Sequence, residues 1–523
     1  MITLLDYGAG NVRSVINAIR HLGEDVSLVS SPDQIRTAEK IVFPGVGAFG
    51  SMVAVLEERG YMDALRDYLQ TGRPLFGICL GMQALLDGSE ENPGVRGLGF
   101  IPGFVRRFNV SLPVPHMGWN DIRPARPSLL FDGMTGDEKF YFVHSYYADP
   151  DDASAVLARC DYGHPFACAL QKDNVMGTQF HPEKSGAPGL RLLSNFLRTN
   201  VQIALPRAIP QETRLAKRII ACLDVRANDE GDLVVTKGDQ YDVREQGAVR
   251  NLGAPVELAQ RYFVEGADEI TFLNITGFRD FPLADMPMLE VLERTSRNVF
   301  VPLTIGGGIR DYTDGTGRHW SALEVASAYF RAGADKVSIG GDAVLAVLDY
   351  RRTGQKTGRS PIEEISRVYG AQAVVISVDP RRVYVSSPDA TPHRTIETAI
   401  PGPSGERWCW YQCTVKGGRE GADLDAITFA AAAQELGAGE ILLNCIDRDG
   451  TNSGFDLELI NAVKQAVTIP VIASSGAGCV EHFAEVFENT DADAALAAGI
   501  FHRREVPIEA VKSHLRGIVE VRL

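Results

Sequence analysis

A cysteine and a histidine about a hundred residues apart stand in motifs suited to nucleophilic chemistry. Cys79 lies in GICLG, and His181 and Glu183 lie in HPEKS. A thiolate attacks amide carbonyls, an imidazole can take and return the proton, and a carboxylate can hold the imidazole in one tautomer. Cys79 alone would be read as a structural residue, because free cysteines are commonly buried. The two motifs together favour an amide-hydrolysing site.

The residues around Cys79 predict a strand, a sharp turn and a helix. RPLFGIC, at 73–79, is typical of an apolar strand, and LGMQALL continues as a helix, so the cysteine falls on the turn. Gly77 and Gly81 leave room for a tight turn, and the helix N-terminus favours the thiolate. A second strand-like stretch, VMGTQF, leads directly to His181.

Through these two motifs, residues 1 to about 200 resemble the class I (triad) glutamine amidotransferases. The resemblance implies that the cysteine, histidine and glutamate form a catalytic triad that hydrolyses glutamine. It also implies an oxyanion site made of backbone amides, at Gly47 in the turn PGVG and at Leu80 beside the nucleophile. Gln83, one turn into the helix, is expected to contact bound glutamine.

The composition is that of an ordinary globular protein with more than one domain. Its 523 residues exceed one ordinary core, and 45% are hydrophobic and 23% charged. A net charge of −15 and a pI near 5.2 argue against nucleic-acid or anionic-membrane partners. The eight cysteines lack the spacing of a metal site, so we expect reduced thiols, no metal and no cofactor.

The first residues predict no targeting segment. ITLLDYGAGN follows Met1 without a basic segment, an apolar signal core or an Arg-rich presequence. No uninterrupted apolar run reaches the roughly 18 residues that a membrane-spanning helix needs. We therefore expect a cytoplasmic protein with no membrane partner.

The order of apolar runs and helical stretches predicts two α/β domains. Strands and helices alternate up to about residue 200, which indicates a sheet covered by helices. The proline-bearing segment 201–214 predicts a linker. The remaining residues, 215–523, carry strand-then-helix units and suit a (βα)8 (TIM) barrel with insertions. The expected domains are thus an amidotransferase at 1–200 and a barrel at 215–523.

Four sequence patterns recur in the same order in the two halves of the second domain. IIACLDV returns as VVISVDP, GADEITFLNI as GAGEILLNCI, VPLTIGGGI as IPVIASSGAG, and AGADKVSIGG as TDADAALAAG. This repetition predicts two half-barrels of four βα units each. The stretches near 311–320, 345–365 and 385–420 fall outside the repeat, and WCWYQCTVKGGRE in the last one predicts a hairpin over the barrel mouth.

One aspartate ends the first strand of each half-barrel. Asp224 and Asp379 are expected to face an active site, because residues at the C-terminal ends of barrel strands do so. Either residue alone could simply cap the next helix. Two opposed carboxylates, however, can share the tasks of general acid and general base.

Glycine-rich turns follow the third and fourth strands of each half and predict two phosphate sites. Small residues let backbone amides approach an anion at a helix N-terminus. Two pairs of such turns across a barrel imply a ligand with a phosphate at each end. The residues expected to bind it are Gly307, Gly308, Gly340, Gly341, Ser474, Gly476, Ala498 and Gly499.

With ACLDV, LLNCIDRDGT and the attached amidotransferase, the chain resembles the single-chain imidazole glycerol phosphate synthases of histidine biosynthesis. The resemblance implies that ammonia from glutamine reacts with the bisphosphorylated ribotide PRFAR, giving imidazole glycerol phosphate and AICAR. It also implies that Asp224 and Asp379 are the catalytic pair. The other positions expected to line the substrate site are Lys237, Gln372, Lys416, Asp449, Gly450 and Thr451.

The chain departs from this family at three glycines. Gly340 and Gly341 stand where the family often has a polar side chain, and Gly499 stands where a serine is common. Phosphate contacts at these positions are therefore expected from the backbone.

Charged residues of alternating sign begin four of the predicted barrel strands: Arg218, Glu269, Lys336 and Glu440. They predict a closed ring of ion pairs at the bottom of the barrel, which could be a stabilising layer only. The family resemblance implies that the ring is the gate through which ammonia enters. The residues expected at the domain junction are Trp119, Asn120, Tyr141 and Lys184.

Three alternatives remain beside this interpretation. An amidotransferase fused to another barrel, such as a tryptophan-pathway enzyme, is disfavoured by the doubled aspartates and HPEKS. The isomerase of the preceding histidine step has a similar repeat but needs no glutaminase. A non-catalytic phosphosugar-binding protein would not need the triad and the aspartate pair intact. We expect a monomer that acts on small molecules, because both activities share one chain.

Overall fold

A computed structural model describes residues 1–8, 10–198, 201–228, 232–236, 244–245, 248–249, 251–275, 283 and 286–523. Lys237, one of the predicted substrate-binding residues, lies outside these described residues.

The first domain is built on a mixed sheet whose central strands are parallel and fully buried. The strands run in the order β2-β1-β3-β4-β13-β12-β10-β6-β5, and β11 and β8 extend the sheet beside β12. The strands of the first domain, of which β7 and β9 lie outside this sheet, are in chain order β1 (Ile2–Leu4), β2 (Val26–Leu28), β3 (Lys40–Gly45), β4 (Leu75–Cys79), β5 (Gly88–Ser89), β6 (Gly103–Arg107), β7 (His116–Asp121), β8 (Arg123–Pro124), β9 (Lys139–His144), β10 (Tyr146–Pro150), β11 (Val156–Tyr162), β12 (His164–Lys172) and β13 (Val175–Thr178).

Helices cover the sheet of the first domain and complete two apolar clusters with it. Asn11 begins the first helix by accepting a hydrogen bond from the Ser14 backbone N–H, at 3.0 Å. The helices are α1 (Val12–His21), α2 (Pro32–Thr37), α3 (Phe49–Glu58), α4 (Tyr61–Leu69), α5 (Leu80–Gln83) and α6 (Gly186–Leu197).

The second domain is a barrel of eight parallel strands, closed where β15 pairs with β31. The barrel order is β15-β19-β20-β23-β24-β29-β30-β31, which confirms the predicted α/β fold class. The described strands of the second domain, in the barrel and in smaller sheets, are β14 (Leu215–Ala216), β15 (Arg218–Ala227), β16 (Leu233–Val235), β17 (Arg244–Glu245), β18 (Ala248–Val249), β19 (Glu269–Asn274), β20 (Leu303–Gly306), β21 (Tyr312–Thr313), β22 (His319–Trp320), β23 (Lys336–Ile339), β24 (Val374–Val378), β25 (Pro380–Val385), β26 (Ile396–Glu397), β27 (Trp408–Val415), β28 (Glu420–Asp425), β29 (Glu440–Asn444), β30 (Val471–Ser474) and β31 (Ala494–Ala497).

Helices surround the barrel and bury their apolar faces against its strands. Ser321 opens one of them with a capping box, since its side chain and that of Glu324 each accept a backbone N–H of the other residue. The helices are α7 (Pro255–Val264), α8 (Pro287–Thr295), α9 (Ala322–Ala332), α10 (Gly341–Thr353), α11 (Pro361–Tyr369), α12 (Ala426–Leu436), α13 (Leu457–Ala466), α14 (Val480–Asn489), α15 (Gly499–His502) and α16 (Ile508–Leu515).

The predicted hairpin near 385–420 is present as β27 and β28, in a small sheet with β25 and β26. This sheet follows Asp379 directly, and Thr414 Oγ1 donates a hydrogen bond of 2.6 Å to the Asp379 carbonyl oxygen. A buried network holds the sheet to the barrel. Asp456, the N-cap of α13, accepts from Arg382 at 2.6 Å and from Tyr411 at 2.9 Å.

The two domains share a three-stranded sheet in the order β14-β7-β9. β14 comes immediately before the first barrel strand, and its Leu215 pairs with Asn120 of β7. The predicted linker, 201–214, also contacts the first domain, because the Ala204 backbone pairs with that of Ser128. No helix within the described ranges is both long enough and apolar enough to cross a membrane.

Removing the buried Asp456 carboxylate should destabilise the protein far more than removing a carboxylate from an exposed ion pair. Asp456→Ala leaves the buried Arg382 guanidinium with only the more distant Glu458 carboxylate, at 3.7 Å, and we expect the free energy of unfolding to fall by about 3 kcal/mol. Urea titration can follow this through tryptophan fluorescence, to which Trp408 and Trp410 of the small sheet contribute. As a control, Glu420→Gln, which breaks the exposed Lys416 ion pair, should cost less than about 1 kcal/mol. Equal losses in both variants would contradict the assignment.

Candidate active sites and domain junction

The strand, turn and helix predicted around Cys79 are present. β4 ends at Cys79 and α5 begins at Leu80. The cysteine has φ 51° and ψ −106°, a strained backbone conformation for a residue other than glycine. Such strain is a recurrent feature of nucleophile turns. Gly81 permits the turn, since an added Cβ would stand 1.9 Å from the Phe43 carbonyl oxygen.

His181 follows the strand beside the nucleophile and is fixed by Glu183. The pairing of β13 with β4 brings the histidine to the end of the sheet where Cys79 lies. Nδ1 of His181 lies 2.8 Å from Oε1 of Glu183, and both side chains are buried. Burial opposes the imidazolium, yet the negative charges of Glu183 and of the Cys79 sulfur outweigh it and raise the pKa of His181 well above its ordinary value.

A cavity beside the nucleophile is walled by both domains. The first domain contributes the triad cysteine and histidine together with the predicted glutamine contacts Gly47, Leu80 and Gln83. Gly47 has φ 109°, and an added Cβ would stand 2.7 Å from the Val368 carbonyl oxygen of the barrel. The barrel residues on this cavity are Phe330, Ala334, Asp335, Tyr369, Gln372 and Ala373.

The position of Gln372 corrects one prediction. We expected this residue in the substrate site of the barrel, but it lines the cavity next to Cys79. The prediction is wrong because Gln372 precedes β24 and therefore lies at the N-terminal end of the barrel. Asp379 follows the same strand and lies at the opposite end.

The residues predicted at the domain junction do lie there. Lys184 forms an ion pair with Asp335 of the barrel at 2.7 Å, and Asn11 donates a hydrogen bond of 2.8 Å to the same carboxylate. Trp119 Nε1 donates to the Asp268 carbonyl oxygen at 3.0 Å. Tyr141 is buried between the cavity and the barrel, and burial, together with the charge of Glu269, raises its pKa. Neither Asn11 nor Asp335 was predicted from the sequence.

The four charges that begin the barrel strands form a closed ring of ion pairs. Arg218 contacts Glu269 at 2.9 Å and also contacts Glu440, while Lys336 contacts the same two carboxylates at 2.7 Å and 2.6 Å. All four side chains are fully buried. Burial opposes ionisation of Glu269, but Lys336 and Arg218 outweigh it and lower its pKa. Met117, on β7 of the first domain, places its sulfur 3.6 Å from the Lys336 Nζ.

The two aspartates lie at the other end of the barrel, on opposite strands. β15 carries Asp224, and β24, four places away around the closed order, precedes Asp379. Burial raises the pKa of Asp379, and the charge of Asp449 adds to this, although hydrogen bonds from Asn444 and Ser377 oppose it. The Asn444 bond measures 2.8 Å. A carboxyl with a raised pKa is suited to donate a proton.

The predicted phosphate-binding turns lie at this same C-terminal end of the barrel. Gly307 and Gly476 have φ 88° and 97°, and a Cβ at either would stand within about 2.2 Å of a backbone carbonyl oxygen. Gly340 and Ala498 are the N-cap residues of helices α10 and α15. The remaining members of the set lie in or directly beside the same four turns: Gly308, Gly341, Ser474 and Gly499.

The other predicted substrate-binding residues follow strands at the same end. Asp449, Gly450 and Thr451 come shortly after β29, and Asp449 is buried. Lys416 lies at the turn between β27 and β28, where it forms an exposed ion pair with Glu420. Within the described part of the chain, no group of three or more histidine, cysteine, aspartate or glutamate side chains could hold a metal ion.

One contact of the nucleophile was missed by the sequence reasoning. Gln179 is fully buried, and its Nε2 lies 3.4 Å from the Cys79 sulfur. The residue stands in VMGTQF, two positions before His181. Its nearness to the histidine was the only signal in the sequence.

Both domains match known protein families. Residues 3–200 match the family described as Glutamine amidotransferase class-I, and residues 218–507 match the family described as Histidine biosynthesis protein.

Similar proteins span both domains in one chain. The imidazole glycerol phosphate synthase hisHF, chloroplastic, of Arabidopsis thaliana is 57% identical over 100% of this chain and 90% of its own length. The imidazole glycerol phosphate synthase hisHF of Emericella nidulans is 54% identical over 98% of this chain and 97% of its own. That of Schizosaccharomyces pombe is 53% identical over 98% of each chain. With an amidotransferase domain joined to a histidine-biosynthesis barrel, this chain belongs to the imidazole glycerol phosphate synthase family.

Proposed function

We propose that the chain hydrolyses glutamine at Cys79 and uses the ammonia at the far end of its own barrel. There the ammonia reacts with PRFAR to give imidazole glycerol phosphate and AICAR. The observation that carries this proposal is the wall of the cavity beside Cys79. Barrel residues such as Asp335 and Tyr369 form part of that wall. Ammonia formed at Cys79 is therefore released against the underside of the barrel.

Glutamine hydrolysis follows from the geometry of the triad. The Cys79 sulfur attacks the side-chain carbonyl carbon of glutamine, and backbone amides near Gly47 and Leu80 stabilise the oxyanion. His181, held by Glu183, donates its proton to the amide nitrogen of the tetrahedral intermediate, which then leaves as neutral ammonia. Water then hydrolyses the thioester and releases glutamate, with the imidazole acting as base.

We place the route for ammonia inside the barrel. Side chains alternate along a strand, so Arg218, Ile220, Cys222 and Asp224 of β15 point to one side. Ile220 and Cys222 belong to an apolar cluster with residues from four other barrel strands, β24, β29, β30 and β31, so the layer between ring and aspartates is apolar. An apolar route keeps ammonia in its neutral form, which has the lone pair needed for attack. The ion-pair ring must open to admit it.

Cyclisation is assigned to the opposed aspartates. Asp379, whose pKa is raised by burial, is proposed as the proton donor, and Asp224 as the group that removes a proton. The glycine-rich turns hold the two phosphates by backbone amides. Asp449 and Thr451 are proposed to line the same site, as is Lys416.

The remaining assignments concern the organisation of the chain. We propose an amidotransferase domain at 1–200, a linker at 201–214 and a cyclase domain at 215–523. The fused relatives support a monomer that acts on small molecules. A cytoplasmic location stays a prediction, since the Arabidopsis relative is named chloroplastic.

Replacing the nucleophile should separate the two activities. With purified protein, PRFAR and glutamine, we expect formation of both imidazole glycerol phosphate and AICAR, and Cys79→Ala should abolish it. The same variant should keep cyclisation fed by ammonium salts, because the barrel site is distant from the thiol. Cys168→Ala, a buried cysteine of the same domain, is the control. Loss of both activities in Cys79→Ala alone would contradict two separate sites.

The triad glutamate should set the alkaline limit of glutamine hydrolysis. The Glu183 charge raises the pKa of His181, so Glu183→Gln should lower that pKa. Since the imidazolium must donate a proton to the leaving amide nitrogen, activity is lost as pH rises through this pKa. The alkaline limb of the kcat/KM profile for glutamine should therefore move to lower pH. An alkaline limb at the same pH in both proteins would show that Glu183 does not act on the histidine.

Replacing Asp379 should impair the cyclase activity alone. Asp379→Asn keeps the shape of the side chain but removes its proton-transfer ability, so kcat for ammonium-fed cyclisation should fall at least about a hundredfold. Binding of PRFAR should persist in equilibrium titrations. The control is Asp389→Asn, an exposed aspartate in the adjacent insertion. Turnover comparable to the parent protein would remove the catalytic role of Asp379.

A further inference from the structure

The side chain of Gln179 bridges the nucleophile and the predicted glutamine-binding residue. Its Nε2 lies 3.4 Å from the Cys79 sulfur, and its Oε1 lies 3.0 Å from Nε2 of Gln83. The residue is fully buried, and its backbone N–H donates a hydrogen bond of 2.8 Å to the Cys168 carbonyl oxygen. The buried side-chain amide is therefore held at both its nitrogen and its oxygen.

A single backbone carbonyl decides which way this amide points. Gln83 Nε2 also lies 3.0 Å from the carbonyl oxygen of Tyr146, which can only accept. The atom of Gln83 facing that carbonyl must then be the nitrogen, and the atom of Gln179 facing Gln83 must be the oxygen. The amide nitrogen of Gln179 is left to face sulfur. The direction of the N–H···S contact thus follows from its neighbours.

The same carbonyl also orders two buried histidines. Nδ1 of His144 lies 2.7 Å from the Tyr146 oxygen and must carry a proton, so its Nε2 accepts from Nδ1 of His116 at 3.1 Å. Burial lowers the pKa of both histidines, which keeps them neutral, as these roles require. His116 lies on β7, the strand that pairs with the segment entering the barrel. The Tyr146 carbonyl is therefore held by a chain of hydrogen bonds through His144 and His116 that reaches the domain junction.

We propose that Gln179 is a positioning residue for the nucleophile, which holds the Cys79 thiolate by a directed N–H···S hydrogen bond. This inference rests on the proposed role of Cys79 in glutamine hydrolysis. Hydrogen bonds to a charged acceptor are stronger than those to a neutral one, so the contact favours the thiolate over the thiol. It also fixes the sulfur on the side from which His181 can exchange a proton.

Alkylation of Cys79 tests the proposal without any turnover. The full chain is treated with iodoacetamide at a series of pH values, and modification of the Cys79 peptide is followed by mass spectrometry. Only the thiolate reacts. Gln179→Met removes the donor at nearly constant volume, and the rate profile should shift to higher pH by about one to two units, with the alkaline plateau retained. Gln171→Met, the same change near the end of β12 in the same domain, should leave the profile in place.

A second variant keeps the test independent of packing. Gln179→Leu also removes the donor but fills the site with a side chain of another shape. Its profile should shift in the same direction. A uniform loss of rate at every pH in both variants would show altered access only, and unchanged profiles would show no contact with the thiolate. Either result overturns the proposal, whereas failure of the proposed function would appear as glutamine hydrolysis by Cys79→Ala.

Discussion

Four buried charges on the underside of the barrel are the constraint on which the rest of the structure depends. Each charge would be costly alone, since leaving one partner of a buried pair uncompensated costs about 3–5 kcal/mol. Here every carboxylate of the ring meets both cations, and Thr304 adds a hydrogen bond of 2.7 Å to Glu269. The ring is therefore satisfied only when four strands from both half-barrels begin at the same level, which fixes the register of the barrel.

That register determines what lies above and below the ring. Because side chains alternate along each strand, β15 presents Arg218 at the bottom and Asp224 near the top, with apolar residues between them. On the other side of the ring, β7 of the first domain places Met117 against Lys336. The strand that carries Met117 also pairs with β14, so the domains are joined by main-chain hydrogen bonds beside the ring.

The strained turn at Cys79 is supported by equally fixed surroundings. Its backbone conformation is tolerated because Gly81 allows the close approach of Phe43, and because buried polar groups such as Glu183 and Gln179 hold the neighbouring side chains. The cavity that results has one wall in each domain. Strain and burial at the nucleophile are thus tied to the contact between the domains, which gives the enzyme a structural basis for linking its two reactions.

The sequence by itself determined the local features of this protein. GICLG is enough for a strand, turn and helix, and the repeated strands with Asp224 and Asp379 are enough for two half-barrels, because each depends on residues close in the chain. Only the tertiary structure decided which end of β24 Gln372 occupies, and which amide reaches the Cys79 sulfur. These contacts join residues distant in sequence through buried hydrogen bonds, whose directions depend on the packed neighbours and leave no periodic pattern in the chain.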